Sequence, residues 1–314
     1  MGAALSGPVS LATPAVVPPA SLRPDAGTVP ARSGISASLF VPTVRGSVRH
    51  RSCNAERTSR DVTESSLVYI CIPARNEENT IGVLLWKIRQ VMAGFGRDYE
   101  ILVLDDGSSD DTRSLLSSYR RVVPLVILYG KKRLGYAGAT EELLRHAARR
   151  AEYPKRDVAV TLQADFSDDP AGIVPLLKTI EGGADVVSVA YAGEPPGLTR
   201  SARLTRWVGR HWLRGALSSA PVSDPFGGFR AYRIVVLRKM FGEAGEEGLG
   251  LGEGWAGNLE LLGRALPHAR AVAEAVVEAP RNRRVRGSRF RAWRTLRGLG
   301  RARGRITFAA AQGS

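Results

Sequence analysis

Between residues 66 and 190, short apolar runs alternate with stretches whose apolar residues recur every three or four positions. The run from Leu67 to Ile72 reads as a buried strand. The helical pattern after it puts Ile81, Leu84, Leu85, Ile88 and Val91 on one stripe. Ile101 to Leu104, Val122 to Leu128, Val158 to Leu162 and Val186 to Val189 read as further strands. Helices are expected from about Asp110, over Tyr136 to Ala151 and over 170–180. Beyond residue 190 the regularity loosens. Ser201 to Leu217 reads as a basic helix, Phe226 to Tyr232 as a short strand, Glu253 to Ala265 as a helix, and Val272 to Val277 as a strand at the sheet edge. Strands alternating with helices predict an α/β fold built on a mostly parallel sheet with helices on both faces.

The flanks differ from this body. Residues 1–65 are rich in Ala, Ser, Val, Pro and Gly and are interrupted by prolines at 8, 14, 18, 19, 24, 30 and 42, which predicts a disordered extension. Residues 281–314 carry eleven arginines and no acid, so this segment holds +11 of the net charge of +15. It reads as a basic tail that needs an anionic partner. Phe290, Trp293 and Leu296 recur every third residue within it and can share a helix face, a pattern suited to an anionic membrane surface. No apolar run approaches the ~18 residues of a transmembrane helix. The only cysteines are Cys53 and Cys71, which excludes a disulfide framework or a zinc cluster and fits a reducing cytosol. The expected location is therefore cytoplasmic, with peripheral attachment to the cytosolic face of a membrane.

The candidate chemistry sits where strands end, the edge at which open α/β sheets bind ligands. Ile72-Pro73-Ala74-Arg75-Asn76-Glu77-Glu78 closes the first strand. Pro73 fixes the chain's exit, so that Arg75 and Glu77 can face a ligand. A purely structural account makes Asn76 a helix cap, with Glu77 and Glu78 favoured by the helix dipole. Leu104-Asp105-Asp106-Gly107-Ser108-Ser109-Asp110 closes the second strand. Its carboxylates can accept hydrogen bonds from a base or a ribose, Gly107 permits a sharp turn, and Ser109 or Asp110 can cap the next helix. Leu162-Gln163-Ala164-Asp165-Phe166-Ser167-Asp168-Asp169-Pro170 closes the fourth. Capping before Pro170 accounts for Asp168 or Asp169 but not for Asp165. In Ser223-Asp224-Pro225-Phe226-Gly227-Gly228-Phe229-Arg230, the glycines permit close backbone approach to a ligand. Arg230 can hold a phosphate bidentately, and Asp224 can orient or deprotonate an acceptor. A mutual Asp224–Arg230 ion pair is the structural alternative.

These motifs together resemble the GT-A, family 2 glycosyltransferases over roughly residues 66 to 290, with the dolichol- or polyprenyl-phosphate sugar transferases as the nearest subgroup. The resemblance implies one continuous domain over 66–280, its first half binding nucleotide and its second half binding acceptor. It places Pro73, Arg75, Glu77, Asp105, Asp106 and Gln163 around the nucleotide of a nucleotide-sugar donor. Asp165 stands at the second acid of an Asp-x-Asp motif whose first acid is here Gln163. The resemblance thus implies Mg²⁺ or Mn²⁺ on Asp165, held less strongly because of the amide. Asp224 and Glu253 become further catalytic candidates, and Gly228 and Arg230 acceptor contacts. Trp255 could stack on a sugar or lipid, or serve as an ordinary core aromatic. The basic stretch around Arg286-Gly287-Ser288 resembles a loop that reaches the phosphates. The implied reaction is hexosyl transfer to a polyprenyl phosphate, with metal-assisted departure of the nucleoside diphosphate. One rival keeps the fold and takes a soluble saccharide or small-molecule acceptor. Another is a nucleotide- or nucleic-acid-binding protein without transferase activity. The carboxylate cluster argues against nucleic acid as the main ligand, because it would repel a phosphate backbone.

Overall fold

The computed structural model describes residues 66–130, 132–193, 199–278, 292–304 and 308. The N-terminal extension, the loop around Arg286 and Phe290 of the basic segment lie outside them. The strands are β1 (Val68–Ala74), β2 (Tyr99–Asp105), β3 (Leu125–Tyr129), β4 (Val158–Thr161), β5 (Val186–Ala192), β6 (Arg230–Arg233) and β7 (Val272–Glu278). The helices are α1 (Ile81–Phe95), α2 (Thr112–Tyr119), α3 (Gly135–Arg150), α4 (Ile173–Glu181), α5 (Arg200–Trp212), α6 (Arg214–Leu217), α7 (Ile234–Ala244), α8 (Trp255–Ala265) and α9 (Ala292–Ala302).

One sheet runs in the order β3-β2-β1-β4-β6-β5-β7. All its pairings are parallel except those of β6, which lies antiparallel to both β4 and β5. Side chains alternate across the sheet, and both faces are buried. Val68, Ile70, Ile72 and Ala74 point into one core with Ile101 and Val103, while Tyr69 and Cys71 point into the other with Leu102 and Leu104. Burial on both faces explains why these strands read as continuous apolar runs. Ile81, Leu84, Leu85, Ile88 and Met92 of α1 cover the first face with Ile173, Leu176, Leu177 and Ile180 of α4. Leu143, Leu144 and Ala147 of α3 cover the second with α7 and α8. The basic C-terminal segment contributes to this second core, where Leu299 and Ala302 of α9 and the later Phe308 are buried.

Three local differences from the sequence pattern have physical causes. Residues 226–229 form a loop rather than strand, because Asp224 Oδ1 accepts from Phe226 N at 3.0 Å and turns the chain. The basic helix breaks at Leu213, where α5 ends and α6 begins. Ile234–Ala244, which the sequence reading left unassigned, is helix α7. Its opening Ile-Val-Val reads as strand, yet Ile234, Leu237, Met240 and Phe241 lie at helical spacing and are all buried.

Candidate active site

The site lies at the carboxyl ends of β1, β2 and β4. Because β6 runs antiparallel, with Thr161 opposite Arg230 and Ser188 opposite Arg230, the residues just before β6 reach this same edge. The topology therefore brings the 73–78, 105–112, 163–169 and 223–230 segments together.

The first two segments are clipped to each other. Asn76 takes a left-handed conformation, φ 52°, which an Asn tolerates better than most residues. Its backbone N–H donates to Ser108 Oγ at 2.9 Å, and its Oδ1 accepts from Ser109 N at 2.8 Å. Glu77 N donates to Thr112 Oγ1 at 2.8 Å, and Asp111 N to Glu78 Oε2 at 3.1 Å. Asn76 thus acts as a cross-loop bridge, not as the cap of α1, whose N-cap position is Thr80. Glu77 Oε2 accepts from Thr80 Oγ1 at 3.1 Å, and Arg75 is half-buried. Asp110 accepts from Thr112 N at 3.2 Å, Thr112 Oγ1 at 2.6 Å and Glu78 N at 3.3 Å. Its burial alone would raise its pKa, but these bonds, led by the Thr112 hydroxyl, outweigh burial and hold it below the ordinary value.

Asp105 and Asp106 are both buried and both shape the backbone. Asp105 accepts from Ser108 N at 2.9 Å and pairs with Arg113 at 3.3 Å, and the Arg113 guanidinium lies 4.5 Å from the centre of the Tyr129 ring. Asp106 accepts from Leu134 N at 2.6 Å and Gly135 N at 2.9 Å, so it satisfies the opening N–H groups of α3. Glu253 crosses to the same helix start: a Cβ placed on Gly135 would sit 2.0 Å from Glu253 Oε1. Gly135 has φ +75°, so its conformation calls for glycine, while the nearby carboxylate is the end of an exposed, flexible side chain. The sequence motifs around 105 and 253, far apart along the chain, therefore meet at the N-terminus of α3, where the helix dipole favours negative charge.

Asp165, half-buried, accepts from Ser167 N at 2.9 Å and from the Ser167 hydroxyl, across a turn in which Phe166 has φ 57°. Asp168 is buried and accepts from Tyr191 Oη at 2.7 Å. Burial first, and Asp168 second, push the Tyr191 phenol up. Tyr136 is likewise pushed up, mainly by burial and then by Asp168.

The 223–230 segment is held from several sides. Asp224 pairs with Arg206 of α5, not with Arg230. Arg230 is 1 % exposed and donates to Asn258 O at 2.6 Å, Pro225 O at 2.7 Å and Ser188 Oγ at 3.4 Å. The guanidinium expected to hold an acceptor phosphate is thus engaged by two backbone carbonyls and a hydroxyl. Gly228 is packed so tightly that a Cβ there would lie 2.4 Å from Tyr136 Oη and 3.0 Å from Asn258 Nδ2, while its carbonyl accepts from Thr161 Oγ1 at 2.6 Å. Trp255 packs on Phe226 with ring centres 5.9 Å apart, and Arg206 lies over both rings, so the aromatic serves the interior of the loop.

Arg206, Tyr191, Tyr136 and Asn258 escaped the sequence reading. The one available signal was Arg206, a charge on the inward face of α5 beside the buried Ala202, Thr205 and Gly209.

The residues fit a divalent ion that completes its coordination elsewhere. Among the described residues, no group of three or more His, Cys, Asp or Glu side chains could hold one alone. Asp165 offers a carboxylate, with the Gln163 amide two residues before it. Mg²⁺ and Mn²⁺ commonly take one or two carboxylates and fill the remaining positions with water and substrate phosphate oxygens.

Comparison with known proteins extends this geometry. The family model described as Glycosyl transferase family 2 matches residues 69–241. An undecaprenyl-phosphate 4-deoxy-4-formamido-L-arabinose transferase from Pseudomonas fluorescens is 36% identical over 179 residues, covering 55% of this chain and 48% of that protein. The enzyme of the same name from Klebsiella pneumoniae (strain 342) is 28% identical over 180 residues, covering 55% and 50%. The chain thus spans about half the length of the curated relatives it matches. Among solved structures, glucosyl-3-phosphoglycerate synthase from Mycobacterium tuberculosis, bound to Mn²⁺, uridine diphosphate and glucosyl-3-phosphoglycerate, superposes with a TM-score of 0.54 at 20% identity. The match covers 78% of this chain and 82% of that one. The Mg²⁺ and uridine diphosphate complex of glucosyl-3-phosphoglycerate synthase gives 0.54 at 19% identity, covering 77% and 81%. At this identity the likeness establishes the GT-A-like fold.

Proposed function

The chain belongs to glycosyl transferase family 2, and from that premise we propose that it moves a hexose from a nucleotide-sugar to the phosphate of a polyprenyl phosphate. The observation that carries the reading is the convergence on one sheet edge of the 75–78/108–112 clip, the Gln163–Asp165 turn and the tightly held 223–230 loop. The names of the P. fluorescens and K. pneumoniae relatives support the choice of acceptor.

In this reading the clip and the Asp105–Asp106 turn frame the nucleoside. Asp165, with Gln163 beside it, would hold Mg²⁺ or Mn²⁺ against the diphosphate, and the ion would offset the charge that builds on the leaving group. An acceptor phosphate oxygen attacks the anomeric carbon. The bond from that carbon to the diphosphate oxygen breaks, and its electron pair leaves with the nucleoside diphosphate. A phosphate acceptor is already ionised near neutral pH, so no protein base has to remove a proton. Asp224 can then remain with Arg206 and keep the acceptor loop in place. Glu253, exposed just before α8 and reaching the start of α3, would be the carboxylate that contacts the sugar in this reading. Peripheral attachment to a membrane belongs to the same reading. No helix among the described residues is long and apolar enough to cross one.

The test supplies the full chain with a panel of nucleotide-sugars and Mn²⁺, and offers a short-chain polyprenyl phosphate or a soluble phosphorylated hydroxy acid. Sugar appearing on the polyprenyl phosphate, and not in chelator, is the expected result. Transfer only to the soluble compound would replace the acceptor. Consumption of no donor at all would overturn the transferase reading.

A further inference from the structure

Helix α5 has two different faces. Ala202, Thr205, Gly209 and, just beyond the helix, Leu213 turn inward. On the outer face Leu204 is 62% and Trp207 66% exposed, and His211 stacks on Trp207 with ring centres 5.9 Å apart and planes 12° apart. Arg200, Arg203, Arg210 and, past the helix end, Arg214 flank this apolar stripe and are all exposed. Helix α9 lies beside α5. A Cβ on Gly209 would sit 2.9 Å from Leu299, and one on Gly300 would sit 2.8 Å from Trp212. Outward from that contact α9 shows Trp293, 76% exposed, with Arg294, Arg297 and Arg301. Neither helix contains a single Asp or Glu.

We propose that the outer faces of α5 and α9 together form a docking surface for an anionic lipid bilayer, with Leu204, Trp207 and Trp293 entering the headgroup region and the arginines meeting lipid phosphates. Exposed aromatic and aliphatic side chains between cations suit this boundary, because the rings are removed from water while each guanidinium stays among phosphates. Nucleic acid would answer the charge but would not bury Leu204. The surface adjoins the acceptor loop: Arg206 and Arg210 of the same helix hold Asp224 and the Ser223 carbonyl. A lipid-borne acceptor would therefore arrive next to the loop that receives it, a consequence that rests on the transferase reading above.

The test uses the full chain with neutral phosphatidylcholine vesicles and with vesicles containing phosphatidylglycerol, some bearing bromine-labelled acyl chains. Partitioning should be at least about tenfold stronger on the anionic vesicles at low salt and should fall steeply at high salt. The double substitution Leu204→Ser/Trp207→Ser should weaken it by about tenfold, with an unchanged thermal midpoint because both side chains face outward. Bromine quenching should diminish in Trp207→Phe but persist in Trp86→Phe, since Trp86 lies on α1, away from this surface. Equal partitioning to both lipids, a double variant that binds as wild type, or capture of single-stranded oligonucleotide in preference to vesicles would overturn the proposal. Calorimetry with nucleotide-sugar in the absence of lipid separates the two readings. Donor binding without vesicle binding removes only the docking surface, and vesicle binding without donor binding removes only the transferase.

Discussion

Replacing Asp106 by Ala should cost stability before it costs chemistry. Its two oxygens accept from Leu134 N at 2.6 Å and Gly135 N at 2.9 Å at the start of α3, and the residue is buried. Hydrogen bonds to a charged partner contribute about 1.5–3 kcal/mol each, which sets an upper range of about 3–6 kcal/mol for the pair. Water reaching the freed N–H groups returns part of this, and the loss of a capping acid typically costs about 0.5–2 kcal/mol. A loss of about 2–4 kcal/mol lies between these bounds. For a domain of this size that corresponds to a fall of about 5–15 °C in thermal midpoint. Nucleoside-diphosphate binding should weaken with it, because the freed 132–135 segment lies against the Asp105–Asp106 turn. Asp106→Asn should fall in between, since its amide can accept only one of the two N–H groups. Circular-dichroism melts and calorimetric titration at neutral pH provide both readouts. If Asp106→Ala loses nucleotide affinity while its midpoint moves by less than about 2 °C, Asp106 is a ligand contact and the capping argument fails.

Gly135→Ala should destabilise by at least about 1–2 kcal/mol, and the further substitution Glu253→Ala should recover only the part due to crowding, because the φ of +75° remains; a double-mutant cycle by chemical denaturation separates the two. Asp165→Asn should abolish Mn²⁺-stimulated donor turnover and Gln163→Asp should lower the Mn²⁺ concentration needed for half-activation; identical turnover in chelator and in Mn²⁺ would remove the metal from the reaction. Asp110 is held below its ordinary pKa by Thr112 and Glu78 despite its burial, so its contribution is complete above the unfolded value of about 3.9 and is lost as pH falls through the lower folded value. Melts of wild type and Asp110→Asn should therefore differ by a constant amount near neutrality and converge in acid, and a gap that widened on acidification would refute the assignment.

The strands of the first half were legible because both faces of β1, β2 and β4 are buried, and such strands leave continuous apolar runs. The mostly parallel order followed from the alternation with helices. The acidic turns were legible as a group, since turn residues after buried strands mark the ligand edge. Asp110 was readable as a capping candidate, but the N-cap position of α2 is Asp111, and Asp110 one residue before it accepts from Thr112. What each carboxylate does there was not legible. Asp106 finds its donors 28 and 29 residues ahead, at Leu134 and Gly135. Arg230 donates to carbonyls at Pro225 and Asn258, and a Gly-Gly-Phe-Arg pattern carries no information on whether its arginine faces water or backbone. The partner of Asp224 came from α5, not from the nearest arginine in sequence, whose guanidinium is taken by the Pro225 and Asn258 carbonyls. Helix α7 was missed because its β-branched opening imitates a strand, and only the spacing of Leu237, Met240 and Phe241 separates the two.

The contact between Gly209 and Leu299 decides where this domain can be cut. Leu299 and Ala302 have no exposed surface and Phe308 is 5% exposed, all within the core shared with Phe226 and Leu213. Burying a large apolar side chain contributes about 1.5–3 kcal/mol, so Leu299 and Phe308 alone represent about 3–6 kcal/mol of the ~5–15 kcal/mol that separates a folded domain from its unfolded chain. A shortened protein ending at Pro280 would lose more than charge. It would leave a furrow along Gly209 and bare the inner side of Trp212, and its failure to bind anything would report on a damaged core. Point substitutions on the outer faces of the two helices are the cleaner instrument, because they spare the interlock that makes the last helix part of the fold.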